Sequence, residues 1–466
     1  MKTRFRKVLV KGGVLLCIVC AGCGTEEPAG TPTATVVPSA TPIPSPTPLP
    51  TLTPVPTPVP GGLYVDAGMQ LGAISPYVYG TNYGPWVVVP YELTEEAEVA
   101  GIRFLRYPGG EWGDQNDLQG YQIDQFIDLA RRMGAEPNIC VRLRNGTPEK
   151  AAELVRYTNV ERGYGVRYWS IGNEPNLFPE EDFDTVKHNA DWRAIAEAML
   201  AVDPDILLIG PNVTGYVGNP AQDPKDDAGR DWMREFLLAN GDLVDVVAIH
   251  RYPFPLGRVA APATVDDLRT NPQEWDTIIP NLRALIRETT GRDLPVAIGE
   301  MNSHWSHAIR GEATPDSFYN AIWLADVLGH MIKQRVDIVA HFILQSGSHS
   351  GGWGLLADRD LRPSYYVYQI YQRFGSELVY TSTDDADVSI YGALREDGAL
   401  TLVVINLGPD EQTKTLMMDN VAAGEAEVWL FDAEHQAERV AAQPLADGEP
   451  ITVPGQSITL YILGGQ

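Results

Sequence analysis

The sequence predicts an α/β fold, a (β/α)8 TIM barrel followed by a C-terminal antiparallel β-sandwich. Between residues 63 and 374, apolar runs of strand length recur at roughly 25–50-residue intervals and alternate with amphipathic stretches of helical period. Beyond residue 374 the helical period stops, and short alternating runs bounded by Asp, Gly and Pro take over. An open doubly wound sheet would carry a Gly-rich phosphate turn after its first strand, and Tyr79-Gly80-Thr81-Asn82 is not one.

In chain order, Lys2, Arg4, Arg6, Lys7 and Lys11 precede the apolar stretch Val14–Val19, which is too short to span a bilayer, so residues 1–23 read as an export signal. Val19-Cys20-Ala21-Gly22-Cys23 resembles the bacterial lipobox, with Cys20 where that pattern usually has Leu. The resemblance implies lipid attachment at Cys23 and a membrane anchor on the extracellular face; an ordinary signal cut near Ala21 or Gly22 is the alternative. Residues 24–62 form a Pro/Thr-rich linker whose prolines lack amide donors and favour polyproline II. At about 3.1 Å per residue, the 35 residues from Pro28 to Gly62 reach roughly 100 Å.

The barrel is expected over residues 63–374. Strands are read at Pro76–Asn82, Ile102–Tyr107, Pro137–Arg142, Val166–Gly172, Asp205–Pro211, Val244–His250, Pro295–Glu300 and Asp337–Leu344. Helices between them include Asp124–Met133, Pro148–Tyr157 with Thr147 as N-cap, Asp191–Val202, Trp232–Asn240, Trp275–Thr289 closed by Gly291, and Pro315–Met331. The sandwich is expected over 375–466, from runs such as Val388–Leu394, Leu400–Asn406, Ala426–Phe431 and Ser457–Leu463. Leu63–Gly68, before the first barrel strand, is a candidate to pair with it.

Charge narrows the partners. The chain carries 61 acidic and 35 basic residues, a formal −26; five of the bases fall in residues 1–23, so the remainder holds 61 acids against 30 bases. That excludes a nucleic-acid partner, which needs clustered Lys and Arg. After the first 23 residues only Cys140 remains, so no internal disulfide forms. Cys140 lies in an apolar strand, as a buried inert thiol would. No Cys/His/Asp cluster has metal-ligand spacing, and Gly347-Ser348-His349-Ser350-Gly351 lacks the nucleophile-elbow pattern, so no cofactor is expected.

In a (β/α)8 barrel the chemistry sits at the C-terminal ends of the strands. The fourth strand ends in Asn173-Glu174-Pro175 and the seventh in Gly299-Glu300, which brings two carboxylates to one mouth; the second ends in Arg106 before Gly109-Gly110, and the sixth in His250-Arg251-Tyr252. Two carboxylates suit cleavage of an acetal: one protonates the departing oxygen, the other attacks the anomeric carbon, and a separation of about 5–5.5 Å gives retention. Arg106 would hold Glu300 ionised, while Glu174, beside the low-polarity Trp169 and Pro175, would keep its proton and act as acid, then base. Asn173 offers an amide to a sugar 2-hydroxyl.

These strand ends resemble the clan of retaining (β/α)8 glycoside hydrolases. Leu105-Arg106-Tyr107-Pro108-Gly109-Gly110 and Gly172-Asn173-Glu174-Pro175-Asn176-Leu177 are most similar to the families of α-L-arabinofuranosidases, β-xylosidases and β-glucuronidases, although the first usually lack Pro after the catalytic Glu and the second usually have Trp, not Gly, before Asn. The resemblance covers roughly residues 70–375. It implies Glu174 as acid/base, Glu300 as nucleophile, Asn173 as the 2-hydroxyl ligand, Arg106 and Tyr252 as partners of the nucleophile, and His250 as a substrate or acid/base contact. The substrate would be a carbohydrate.

Trp86, Trp112, Trp305 and Trp353 follow strand ends, where aromatic faces stack on sugars; Trp305 and Trp353 are taken as substrate contacts. Arg142, Arg144, Asn145 and Asn212 are further rim candidates, and Glu111 and Asp114 read as solvated loop acids. The resulting expectation is a surface-tethered retaining glycosidase. A transglycosylase with the same residues and a non-catalytic carbohydrate-binding lipoprotein are the alternatives.

Overall fold

The computed structural model describes residues 60–180, 182–257, 261–347 and 351–464. The export signal, Cys23 and the linker up to residue 59 lie outside the described residues, as does Ser348-His349-Ser350 of the loop weighed above.

A long strand, β1 (Leu63–Ala73), leads in. Eight short strands follow: β2 (Gly80–Asn82), β3 (Phe104–Tyr107), β4 (Glu136–Val141), β5 (Tyr168–Ile171), β6 (Leu207–Thr214), β7 (Val246–Arg251), β8 (Val296–Met301) and β9 (Ile338–His341). Each pairs in parallel with the next, and β9 pairs with β2, which closes the barrel. Helices cover the outside, among them Gly120–Met133, Pro148–Val155, Thr185–Leu200, Trp232–Asn240, Trp275–Thr290 and Phe318–Lys333. The first expected strand is shorter than the sequence suggested. Pro76 has no amide for a ladder and Ser75 Oγ accepts from the Tyr77 amide, so Pro76–Val78 turns as a 3-10 helix.

Alternation along the strands builds the interior in layers. Phe104, Ile209, Val246, Ala248, Ala297 and Ile338 form a separate apolar cluster with Tyr77 and Tyr168 against it. The rings of Tyr77, Phe104 and Tyr168 lie 5.5–5.8 Å apart and floor the barrel. Two residues further along each strand the inward layer becomes polar: Arg106 above Phe104, Ser170 above Tyr168 and His250 above Ala248, all buried. The apolar floor keeps water from reaching this polar layer from below.

Three two-residue strands, β10 (Gln345–Ser346), β11 (Leu356–Ala357) and β12 (Asp360–Leu361), form a small sheet after β9. A helix, Pro363–Tyr371, absent from the sequence reading, then crosses to the C-terminal strands: β13 (Glu377–Thr383), β14 (Val388–Leu394), β15 (Leu400–Asn406), β16 (Gln412–Asp419), β17 (Gly424–Phe431), β18 (Gln436–Leu445), β19 (Glu449–Val453) and β20 (Ser457–Leu463). These and β1 make one nine-stranded sheet in the order β18-β17-β20-β15-β14-β13-β1-β16-β19. The sheet folds over on itself: Asn406 at the end of β15 donates to the Pro454 carbonyl beyond β19 at 2.9 Å, and Val428, Val404 and Val453 share one core. The expected all-antiparallel pairing needs one correction. β1 pairs antiparallel with β13 but parallel with β16, because β1 arrives from outside the meander and inserts into it.

The helix Phe318–Lys333 lies between barrel and sheet. It is buried from Tyr319 to Ile332, as expected of a helix that is apolar on every side. Gly329 provides the closest approach, since a Cβ there would fall 2.1 Å from the Tyr391 ring. Tyr391 Oη donates to Asp326 Oδ1 at 2.7 Å and Tyr319 Oη to the Leu407 carbonyl at 2.8 Å, so the seam is hydrogen-bonded as well as packed.

Candidate active site

The site is assembled from strand ends at one height. Register sets Asn82 of β2 opposite Arg106 of β3, and His250 of β7 opposite Glu300 of β8. The second pairing depends on a bulge, with Gly299 as the extra residue between Ile298 and Glu300. A Cβ on Gly299 would lie 2.9 Å from His250 Nε2 and 3.0 Å from Asn212 Oδ1, so the position requires glycine.

Glu300 is 3% exposed and held by three donors. Arg106 Nη1 donates to Oε1 at 2.6 Å, the Gly110 amide to Oε1 at 2.5 Å, and Tyr252 Oη to Oε2 at 2.8 Å. Gly110 aims its amide inward from a φ of 66°, open to glycine without strain. Burial pushes the Glu300 carboxyl up, but His250, Arg106, the Gly110 amide and the Tyr252 hydroxyl together outweigh it and hold the group below the ordinary carboxylate range. Burial, and then the charge of Glu300, raise the Tyr252 phenol well above its usual value, so it remains a donor.

Arg106 is itself fixed. Nη1 also donates to Asn82 Oδ1 at 2.9 Å, and Nη2 donates to Asn173 Oδ1 at 3.0 Å. This leaves Asn173 Nδ2 buried with no protein partner among the described residues, a donor free for a ligand. Asn82 completes the frame by donating to the Gly299 and Ala340 carbonyls at 3.0 Å each. Sequence reasoning passed over Asn82. Its signal was available, since it ends the first barrel strand at the register position beside Arg106.

Glu174 sits differently. Its side chain is 15% exposed against 4% for Glu300, and its Oε1 lies 3.2 Å from His250 Nδ1. The backbone at Glu174 is left-handed, φ 46° and ψ 54°, which a non-glycine residue adopts only when its surroundings impose it. Here the Glu174 amide donates to the Asn212 carbonyl at 3.1 Å, and Asn212 Nδ2 donates to the Gly172 carbonyl at 3.1 Å. Asn212 therefore acts through the backbone that carries Glu174. Of the two expected low-polarity neighbours, Pro175 follows directly and is buried, but Trp169 faces the outer helices, with Nε1 on the Val166 carbonyl at 2.9 Å, because it alternates with the inward Tyr168 and Ser170.

Asp114 overturns a second expectation. It is 3% exposed rather than solvated, and accepts from the amides of Leu143, Arg144 and Asn173 at 2.7, 3.0 and 2.6 Å. Burial raises its carboxyl, against the lowering pull of those amides. Glu111 is exposed, as read. Trp353 reaches the site through rings: it packs edge-on to Phe342 at 5.7 Å, and Phe342 to Tyr252 at 6.3 Å. Trp305 stands further out, 44% exposed, with Nε1 tied to the Pro255 carbonyl at 2.8 Å. Cys140 lies 3.8 Å from Arg106 Nη2, and burial raises its thiol to about 12, so it stays protonated.

Among the described residues, Glu174, His250 and Glu300 are the one group whose ligand atoms converge, all within 4.8 Å. A cation placed there would meet the Arg106 guanidinium 2.6 Å from Glu300. One carboxylate oxygen of Glu174 and one of Glu300 thus lie within 4.8 Å of each other, closer than the roughly 6.5–9.5 Å that admits a water between two carboxylates.

No family model matches the chain. The chain is similar to α-L-arabinofuranosidases. It is 24% identical over 248 residues to probable α-L-arabinofuranosidase C of Aspergillus niger, covering 41% of this chain and 47% of that protein. It is 25% identical over 201 residues to an intracellular exo-α-(1→5)-L-arabinofuranosidase of Halalkalibacterium halodurans, covering 34% and 38%. The chain thus spans less than half the length of these curated relatives. Among solved structures it is similar to a bifunctional glucanase-xylanase from a metagenome library, with a TM-score of 0.68, 18% identity and coverage of 88% of this chain and 100% of that one. An α-L-arabinofuranosidase of Thermotoga maritima in complex with arabinose matches with a TM-score of 0.68 and 18% identity, over 86% and 99%. These likenesses establish the fold, a TIM barrel with a C-terminal β-sheet domain.

Proposed function

We propose that the protein is a retaining glycoside hydrolase that cleaves O-glycosidic bonds of an oligo- or polysaccharide by double displacement. The observation that carries the reading is the asymmetric carboxylate pair: ligand oxygens within 4.8 Å, Glu300 ionised among three donors and Glu174 more open beside His250. In the first step Glu300 attacks the anomeric carbon, the bond to the departing oxygen breaks, and the Glu174 proton goes to that oxygen. In the second, Glu174 takes a proton from water, the water oxygen bonds to the anomeric carbon, and the ester to Glu300 breaks. Each step inverts the centre, so the product keeps its configuration. The unpaired Asn173 Nδ2 is the donor for the 2-hydroxyl.

The similarity to α-L-arabinofuranosidases makes α-L-arabinofuranosides the first substrates to try, beside β-xylosides and β-glucosides. Export and lipid attachment at Cys23, which would place the enzyme on the outer face of a cell membrane, belong to the same reading and rest on the N-terminal sequence. The test is a panel of aryl glycosides with the product anomer followed by NMR. A retained anomer, with turnover lost in Glu174→Gln and Glu300→Gln while sugar binding persists, is the expected result. An inverted product, or full turnover by Glu300→Gln, would overturn the assignment.

A further inference from the structure

We infer that Asn212 is a positioning residue for the acid/base glutamate: its Oδ1 holds the Nε2 proton of His250, which leaves Nδ1 as a base that shares one proton with Glu174. The inference rests on the glycosidase reading above and deepens it, since it says how the proton that Glu174 donates is kept in place.

The local fold prepares this contact. His250 lies on β7 between two bulged neighbours, with Asn212 the extra residue of β6 between Pro211 and Val213, and Gly299 the extra residue of β8. A bulge re-aims a side chain out of the regular alternation. Asn212 takes a φ of 59°, a left-handed conformation that asparagine tolerates better than most residues. Its Nδ2 donates to the Gly172 carbonyl at 3.1 Å, which fixes the amide's orientation and turns Oδ1 the other way. The position that a Gly299 Cβ would take lies 2.9 Å from His250 Nε2 and 3.0 Å from Asn212 Oδ1. The two atoms therefore flank one gap and reach each other directly or through a single water.

Burial makes the pairing necessary. Both residues are fully buried, and neither Nε2 nor Oδ1 has another partner among the described residues. Buried polar atoms are rarely left so. Oδ1 only accepts, so the two are complementary when Nε2 carries hydrogen; a bare Nε2 would set two acceptors against each other. The charged groups of the site face the other side of the ring. Nδ1 lies 3.2 Å from Glu174 Oε1 and 3.8 Å from Glu300 Oε2, and Glu300 is itself engaged by Arg106 and Tyr252. With Nε2–H held, loss of the shared proton would leave the Nδ1 lone pair against the Glu174 carboxylate. That repulsion keeps the proton on the pair to higher pH, ready for the departing oxygen.

The test combines a spectrum with a pH profile. Ring-nitrogen NMR of protein carrying isotopically labelled histidine distinguishes Nδ1–H from Nε2–H, and the His250 signal is the one missing from His250→Gln. At a pH high enough for a neutral imidazole, the wild type should carry hydrogen on Nε2 of His250. Asn212→Gly keeps the left-handed backbone without strain and removes the acceptor. Hydrogen should then move to Nδ1 and donate to the Glu174 carboxylate. That bond stabilises the ionised acid, so the basic limb of kcat/KM should fall by about one pH unit. Asn212→Asp keeps an acceptor but gives up the Nδ2 bond to Gly172, so it should retain Nε2–H and show no downward shift. Hydrogen on Nδ1 in the wild type, a glycine variant with tautomer and basic limb unchanged, or glycine and aspartate variants that shift alike would overturn the inference. A protein that hydrolyses no glycoside yet shows an Asn212-dependent Nε2–H would sink the glycosidase reading, and the acid role of the pair with it, while the tautomer assignment stands.

Discussion

Tyr252→Phe tests the nucleophile's environment with the loss of one atom. The Tyr252 hydroxyl donates to Glu300 Oε2 at 2.8 Å, and its ring is held separately by edge-on contact with Phe342 at 6.3 Å, so the phenylalanine ring keeps its place. A hydrogen bond to a charged group is worth about 1.5–3 kcal/mol, which at about 1.4 kcal/mol per unit corresponds to a rise of one to two pH units in Glu300. Glu300 must be ionised to attack, so activity falls as the pH drops through its value. Raising that value moves the acid limb of the kcat/KM profile upward by the same one to two units. The rate consequence falls mainly on the second step, where Glu300 departs as a carboxylate and loses the donor that stabilised it. With an aryl glycoside bearing a good leaving group, kcat should fall about 10- to 150-fold and KM should fall with it as the glycosyl-enzyme accumulates, giving a burst of released phenol. An unmoved acid limb, or equal losses in kcat and kcat/KM without a burst, would refute the reasoning.

Three further outcomes follow from the structure. Asp114→Ala leaves three amides without their acceptor, the two buried ones, of Leu143 and Asn173, at about 1–3 kcal/mol each, so the variant should unfold at clearly lower denaturant than the wild type; an unchanged midpoint would show that Asp114 holds nothing. Gly329→Ala puts a methyl group 2.1 Å from the Tyr391 ring and should cost about 1–3 kcal/mol by overpacking, visible as a lower Tm while the carboxylate pair keeps its function. Metabolic labelling with a fatty-acid analogue should mark the wild type and spare Cys23→Ser, and equal labelling of both would reject lipid attachment.

The barrel was legible because its strands are buried on both faces and read as short apolar runs, each punctuated by the polar residue that the fold delivers to the mouth. Arg106, Glu174, His250 and Glu300 stand out for that reason. What escaped depends on contacts distant in sequence. Asp114 looks like any loop acid until the loop after β4 and the end of β5 close on it with three amides. Trp169 points outward, a direction that alternation fixes only once Tyr168 is known to point inward. Pro363–Tyr371, with aromatic residues on several sides, has no polar face to declare a helical period, since it is buried against both barrel and sheet.

The insertion of β1 between β13 and β16 constrains the order in which the chain can become native. Leu63 and Val65 are fully buried in the sheet core, yet Leu63 finds its partners at Thr383 and Leu416, more than three hundred residues later. A ribosome that has delivered the whole barrel still leaves β1 with two unpaired edges, and contacts so distant in sequence form late and slowly. Truncation near residue 374 therefore strands an apolar segment at the opposite end of the chain. Commitment to the native state waits for the last ninety or so residues, which makes the C-terminal sheet the step that completes folding.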